Sequence, residues 1–285
     1  MDRKWHIVIT FALTVAFLLF IIFNRAATPV ITYFPHDPDL VYLIAETNIS
    51  VRDQEDKDTY LVEWSSRSSL DKPVYLRQDV SLLFIDGKWK GTNSVWREKE
   101  KNIELSSNVQ MNMGSLIQAI TFHHGEVHYP SDEIYSVQQM SASNLFVMDS
   151  SQQKLETFSR PMTKRQKEWG KTVIQSIDKY LQSTWKDWID DKGINLEEYH
   201  MIPLVDLIQF QETNIDSLTK EQTDKIIGQL WEGLYKNYII PMLHEQWKTS
   251  SAMPVILFSK DHTHLLVLFE DGNKEIQLLR QQYSL

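Results

Sequence analysis

The longest apolar stretch of the chain lies at its start, from Ile7 to Phe23. It contains no charged residue, and a helix can bond the hydroxyls of its two threonines back to its own carbonyls. With Trp5 and His6 the stretch has 19 residues. As a helix it would span about 28 Å, close to the roughly 30 Å of a bilayer's hydrocarbon core. The pattern predicts an uncleaved transmembrane anchor within residues 1–27.

The residues that flank this stretch predict its orientation. Arg3 and Lys4 precede it, and short positively charged ends normally stay in the cytoplasm, so the C-terminal part is expected outside the cell membrane. A cleavable signal peptide is the alternative, but residues 24–27 match a small-x-small cleavage site poorly. Only about six residues precede the predicted span, too few for a sizeable cytoplasmic interface.

Three prolines mark residues 28–39, which are predicted to form an extended stalk. Residues 40–160 then read as a largely antiparallel β region. Val74 to Ile85 alternates well, and Asp86-Gly87 directly after it predicts a type I′ hairpin. Arg52 to Asp58 is expected to be a charged loop.

A second hairpin is predicted around Gly125, between the apolar runs 120–122 and 127–129. Residues 116–119 just before it could instead be a short helix. Ser143 to Met148 is predicted to be one more strand.

The hydrophobic period changes to that of a helix in residues 161–250, where three inserted helices are predicted. The first begins at Thr163, with Gln166 spaced as a capping box, and ends at Gly193. The second begins at Asn195 and is interrupted by a proline. The third begins near Thr219, with its own capping-box glutamine three residues later, and should kink or end at Pro241.

Residues 251–285 return to a strand pattern, with Asp271-Gly272 predicted as a tight turn. An apolar hairpin this short is not stable alone, so it is expected to rejoin the earlier sheet. The predicted fold class is α+β. It comprises an N-terminal transmembrane helix, an antiparallel β region with an inserted three-helix segment, and a C-terminal β-hairpin that packs on the β region.

The composition indicates where in the cell the exported part is located. The chain has no cysteine, so it forms no disulfide, and exported domains of this size usually use them. The lack of cysteine therefore favours a bacterial surface protein. The formal net charge is −9, and residues 1–27 are net positive, so the exported part is more acidic still. Nucleic-acid binding is therefore not expected.

A histidine cluster is the main candidate for metal chemistry. On an extended strand, His124, Glu126 and His128 would share one face, which offers a possible zinc or copper site. The simpler explanation of the cluster is an exposed hairpin tip, because a turn at Gly125 would break that face.

Catalytic motifs are otherwise lacking. Three S-x-x-K matches have no companion K-T-G, and no G-x-S-x-G or H-E-x-x-H occurs. The acidic cluster Asp53, Glu55, Asp56 and Asp58 is most simply a solvated loop. Trp89 and Trp96, near the predicted hairpin, are candidates for a ligand or partner contact.

These patterns favour a single-pass membrane protein whose extracellular domain has a non-catalytic binding or regulatory role at the bacterial cell envelope. Its expected partners are the membrane, through Ile7–Phe23, and an envelope protein; no cofactor is predicted. The alternative is an exported cell-wall hydrolase that uses carboxylates or the histidine cluster.

Overall fold

The structure, a computed structural model, describes residues 31–56, 59–150, 153–244 and 251–283. Within these ranges no helix is both long and apolar enough to cross a membrane. The predicted anchor at Ile7–Phe23 lies outside the described residues. The described part is α+β, as predicted, with three antiparallel sheets and a helical layer.

Two of the sheets face each other as a sandwich. Their strands are, in chain order, β1 (Tyr42–Asp56), β2 (Thr59–Leu70), β3 (Leu76–Ile85), β4 (Lys88–Glu98), β5 (Asn102–Met111), β6 (Ser115–His128), β7 (Ile134–Ser150) and β8 (Gln153–Phe158). The smaller sheet has the order β1-β2-β5 and the larger β4-β3-β6-β7-β8. The loop predicted from Arg52 is shorter than expected, because Arg52 still pairs with Leu61 and β1 continues to Asp56.

Side chains at every second position of the strands point inward and fill the space between these two sheets. One end is an apolar cluster that includes Val62, Trp64, Leu83 and Ile117. The opposite end is a second, smaller apolar cluster around Leu70. The layer between the two clusters is polar, and it contains the site described below.

The predicted turn between β3 and β4 is confirmed. Asp86 and Gly87 have φ values of 49° and 74°, as a type I′ turn requires, and Ile85 pairs directly with Lys88. The Asp86 carboxylate also accepts a hydrogen bond from the Leu116 amide at 2.8 Å, which joins this turn to β6.

The turn predicted at Gly125 is wrong, and so is the alternative of a helix at residues 116–119. Strand β6 runs without interruption through both segments and pairs with β7 over its whole length. Gly125 is needed for close packing instead, since an added Cβ would lie 2.9 Å from Cγ1 of Val137. The chain reverses later, at residues 129–133.

Helix α1 (Lys164–Asp191) has the predicted boundaries. The Thr163 side chain accepts from the Gln166 amide, and the Gln166 side chain accepts from the Thr163 amide, which completes the capping box. Gly193, with φ 63°, follows the helix end as predicted. Ile177, Trp185 and other members of its apolar stripe are buried.

The second predicted helix is wrong. Asn195 caps only a 3₁₀ turn (Leu196–Glu198), and strand β9 (Tyr199–Pro203) and a 3₁₀ helix (Leu204–Gln211) follow. Long-range pairing of β9 with a later strand overrides the local helix signal, for example at Ile202 opposite Ile256.

The third helix, α2 (Lys220–Leu234), begins at the predicted capping box of Thr219. A π-helical turn (Tyr235–Ile239) and a short helix α3 (Ile240–His244) continue it. Pro241 lacks an amide donor and would crowd the preceding turn of an ordinary α-helix. A wider π-turn precedes Pro241, and the helix continues past the proline to His244 instead of ending there.

The C-terminal strands do not rejoin the sandwich, which corrects the predicted topology. Strands β10 (Val255–Ser259), β11 (His264–Glu270) and β12 (Ile276–Gln282) form a third sheet with β9, in the order β12-β11-β10-β9. Strand β9 comes from the segment that was predicted to be helical. Its pairing with β10 adds a strand to the C-terminal strands, which a short hairpin needs for stability. A bridge between Lys88 and Ala252 pairs this part of the chain with β4.

The turn predicted at Asp271-Gly272 is also wrong in form. Residues 271–275 make a longer loop, and the positive φ, 64°, is at Lys274. The Asp271 carboxylate shapes this loop by accepting from the amides of Asn273 and Glu275.

Residues 31–39, predicted as part of a stalk, pack on the domain. The Tyr33 amide donates to the Glu232 carboxylate at 2.9 Å, and the backbone at His36 forms a bridge with Ser136. Ile31 and Asp37 are buried. Proline makes this segment extended, as expected, but its apolar residues attach it to the fold.

Candidate functional site

An aspartate, a histidine and a serine are linked in the polar layer between the two sheets of the sandwich. Nδ1 of His123 lies 2.7 Å from Oδ2 of Asp79, and its Nε2 lies 2.8 Å from Oγ of Ser141. Asp79 and His123 are direct neighbours on β3 and β6, and Ser141 lies on the adjacent strand β7. The sheet itself therefore sets this geometry.

Hydroxyl groups extend the chain of hydrogen bonds to the facing sheet. Oγ of Ser141 lies 2.7 Å from Oγ1 of Thr47, and Thr47 donates to Thr121 at 2.6 Å. Thr121 in turn donates to Ser81 at 2.7 Å. The indole of Trp64 also donates to Ser81, at 2.9 Å. Because Thr47 and Trp64 belong to the smaller sheet, these contacts join both sheets.

A buried arginine completes the other end of the network. The Arg77 guanidinium donates to the Lys101 carbonyl at 2.6 Å and to Ser68, and it lies 3.5 Å from Oδ1 of Asp79. Ser68 also donates to Oδ2 of Asp79 at 2.6 Å. The guanidinium carbon sits 5.2 Å from the ring centre of Tyr42. The Asp79 charge is thus compensated by polar neighbours on several sides.

The order Asp79–His123–Ser141 is that of a nucleophile triad, but its setting is closed. Asp79 and His123 are fully buried, and Ser141 is 8% exposed. A nucleophilic serine needs open space beside Oγ for a substrate carbonyl, and here the Thr47 hydroxyl takes that position. The arrangement joins the two sheets, and it leaves little of Ser141 exposed for a substrate to reach.

Sequence reasoning missed this network. Asp79, Ser141 and Arg77 carry no motif, and the predicted metal candidates His124, Glu126 and His128 lie on the opposite face of β6 from His123. The available signal was the polar residues Arg77, Asp79 and Ser81 at alternate positions of β3, which places all three on one face of the strand.

The predicted metal candidates His124, Glu126 and His128 lie on one strand, β6, but in different surroundings. His124 is fully buried, whereas Nε2 of His128 is bonded to Oε1 of Glu126 and its ring stacks on Tyr75 with centroids 3.8 Å apart. Among the described residues, no three His, Cys, Asp or Glu side chains are placed to hold a metal ion.

His124 is paired across the strands with Gln78, and both side chains are fully buried. Neither the His124 ring nitrogens nor the Gln78 amide have a hydrogen-bond partner within the described part of the chain. Burial lowers the pKa of His124 to about 4, so its ring is neutral near pH 7.

The two candidate tryptophans differ in accessibility. Trp89 is partly buried, and its indole donates to Thr92 at 3.0 Å while its backbone amide donates to Ser251. Trp96 lies opposite Gln78 on β4 and is 40% exposed. Trp96 is therefore the more accessible of the two. The side chains of the acidic cluster at residues 53–58 lie outside the described residues.

Comparison with known proteins identifies no family. No family model matches the chain, and no curated protein matches it. Among solved structures, the chain is similar to Bacteroides uniformis beta-glucuronidase 2 covalently bound to cyclophellitol-6-carboxylate aziridine. The identity is 9%, the match covers 68% of this chain and 27% of that one, and the TM-score is 0.25. The chain thus spans about a quarter of that structure's length, and so low a TM-score bears on neither fold nor function.

Proposed function

We propose that this chain is a single-pass membrane protein whose extracytoplasmic domain binds a protein partner at the bacterial cell envelope and performs no catalysis. The apolar segment Ile7–Phe23 would anchor it, with the N-terminus in the cytoplasm. The absence of cysteine and the acidic charge support an envelope setting.

One observation carries the non-catalytic part of the proposal. The groups best suited to acid–base or nucleophilic chemistry, Asp79, His123 and Ser141, are hydrogen-bonded to one another inside the sandwich. Such groups stabilise a fold when their hydrogen bonds are satisfied, and they catalyse only where a substrate can reach them. This favours binding over the alternative of a cell-wall hydrolase.

Trp96 is the candidate contact for the partner. Large aromatic side chains are enriched at the energetic centres of protein interfaces, and Trp96 is 40% exposed on β4, an outer strand of the larger sheet. Arg97 beside it is also exposed and could pair with an acidic partner group. Substitution of Trp96 should reduce binding without unfolding the domain.

The location can be tested with single cysteines, because the natural chain has none. Lys171→Cys places a thiol on the exposed face of α1, and Ala119→Cys places one where the side chain is buried. A membrane-impermeant maleimide should label the Lys171→Cys variant in intact cells and the Ala119→Cys variant only after denaturation. Labelling of Lys171→Cys only after cell lysis would overturn the extracytoplasmic assignment.

The mode of action can be tested with a photo-crosslinking amino acid in the full-length chain. Placed at Trp96, it should give an adduct with an envelope protein that is absent when the same amino acid replaces Lys171. Lack of any adduct from Trp96 would count against this contact. A serine-reactive fluorophosphonate that labels the native chain, but not its Ser141→Ala variant, would contradict the non-catalytic assignment.

A further inference from the structure

Strand β12 ends the third sheet and offers an open edge. Its residues pair with β11 in one continuous register, from Ile276 opposite Glu270 to Gln282 opposite His264, without a bulge. No described strand pairs with the other side of β12. Every second residue of β12 therefore presents its backbone N–H and C=O groups away from the sheet.

The edge also lacks the features that usually prevent strand addition. Proteins protect exposed edges with lysines, prolines, bulges or very short strands. Strand β12 contains none of these and carries one charge, Arg280. The opposite edge of the same sheet, β9, has five residues and ends at Pro203, and the edge strand β4 contains Lys88 and Lys90.

We propose that β12 pairs antiparallel with β12 of a second copy of this chain, about a two-fold axis at Leu279. In this register Leu279 lies opposite itself, and Leu278 lies opposite Arg280 of the second copy. Leu278 is 41% exposed, and the aliphatic stem of that arginine would cover it. No two like charges are directly opposite, so the strand is complementary to itself.

A groove beside the edge fits this arrangement. It has a volume of about 390 Å³ and lies between α2 and the third sheet, with Leu265, Val267 and Leu279 among its apolar lining. On the helix side it is bordered by Gly233, where an added Cβ would meet nothing within 4 Å. The axis is perpendicular to the sheet, so the second copy's Leu279 would face the same side and enter this groove.

The contact is expected to be weak in dilute solution. The contact would comprise seven paired residues and one leucine pocket. It would therefore bury less surface than the roughly 1,200–2,000 Å² that stable interfaces bury. Confinement of two chains to one membrane would raise their effective concentration and favour pairing. The register is argued from β12 alone, whereas the strength of pairing in cells rests on the proposed membrane anchor, which the maleimide labelling of Lys171→Cys tests separately.

Cysteine crosslinking tests the dimer and its register. Single-cysteine variants at each position from 276 to 282 of the full-length chain are oxidised in cells and separated without reductant. We expect a disulfide-linked band at twice the 33.5 kDa chain mass, strongest for Leu279→Cys. A maximum at another position would overturn the register. Equal or absent crosslinking at all seven positions, or adducts only with other proteins, would overturn the dimer.

A charge exchange provides an independent test. Leu278→Lys places a lysine opposite the second copy's Arg280 and should reduce Leu279→Cys crosslinking at least several-fold. Leu196→Lys is the matched control. Leu196 is also 41% exposed, but it lies in a 3₁₀ turn and not on β12. Adding Arg280→Glu to Leu278→Lys should restore crosslinking. An unchanged band in Leu278→Lys, or no restoration in the double variant, would contradict the proposed pairing.

Discussion

The imidazole of His123 lies 2.8 Å from the Ser141 hydroxyl, with both side chains enclosed between the sheets of the sandwich. This contact depends on two strand pairings and on the facing sheet, which supplies Thr47 to the same hydroxyl. We expect this contact to stabilise the fold, and the free energy of unfolding is the quantity that should report it.

Substitutions in this network should destabilise the fold. His123→Ala removes a partner of the buried Asp79 carboxylate and should cost about 3–5 kcal/mol of the free energy of unfolding. Ser141→Ala should cost about 1–3 kcal/mol, because it leaves buried polar groups unsatisfied. Urea unfolding of the purified full-length chain, followed by tryptophan fluorescence, measures both. The control Ser106→Ala, on an exposed strand face, should change stability by less than about 0.5 kcal/mol. Equal effects at Ser141 and Ser106 would contradict a role for the network.

Two glycines of α2 should respond oppositely to alanine. At Gly228 an added Cβ would lie 2.6 Å from Cδ2 of Tyr33 and would also clash with the Gln138 amide. Gly228→Ala should therefore destabilise by about 1–3 kcal/mol, despite better helix propensity. Gly233→Ala meets nothing within 4 Å and should stabilise by up to about 1 kcal/mol. Thermal unfolding of the two variants side by side gives the comparison, and a stabilising Gly228→Ala would show that α2 does not pack as described.

The Asp86-Gly87 turn should be more sensitive than the end of α1. Gly87 has φ 74°, and an added Cβ would lie 3.0 Å from atoms of Ile177 and Leu181. Gly193 has φ 63° but no atom near an added Cβ. Gly193→Ala should therefore cost about 1 kcal/mol from backbone strain alone. Gly87→Ala adds steric conflict and should cost about 1–3 kcal/mol more. Urea midpoints of the two variants measure the difference, and equal midpoints would refute the steric contribution.

Stability should fall as the pH drops below about 6.5. Burial holds the pKa of His124 near 4 in the folded chain, and an unfolded histidine has a pKa near 6.5. Between these values the unfolded state binds more protons, so acid favours unfolding. The expected loss from His124 between pH 6.5 and 4 is about 3 kcal/mol. The loss levels off as the pH falls below the folded pKa.

A variant isolates this histidine from its surroundings. Arg77, Asp79 and His36 influence the His124 ring, and burial also lowers the pKa of His36, so part of the pH dependence will remain without His124. His124→Leu should flatten the curve of unfolding free energy against pH between 6.5 and 4. An identical slope in wild type and variant would exclude His124 as its source.

Local signals predicted the parts of the fold that local contacts determine. The capping boxes at Thr163 and Thr219 and the turn at Asp86-Gly87 are each completed within a few residues, and all three are confirmed. Asn195 carries a similar cap signal, but the residues after it pair with β10, a strand more than fifty residues away along the chain. A cap pattern cannot reveal a competing strand partner.

The candidate site was not predictable for the same reason. Its members come from β1, β2, β3, β6 and β7, and only the pairing of these strands brings Asp79, His123 and Thr47 together. At Gly125 a local signal predicted a turn where the strand in fact continues. A glycine between two apolar runs normally indicates a turn, but here it makes room for Val137 on the neighbouring strand.

The polar layer of the sandwich also constrains how the strands can pair. A shift of β3 against β6 by two residues would keep every apolar side chain on its own face, so hydrophobic burial alone hardly opposes it. That shift would move Asp79 away from His123 and leave a charge in the interior without its partner. We therefore expect the network to disfavour the near-native alignments of β3 and β6 that the apolar pattern permits.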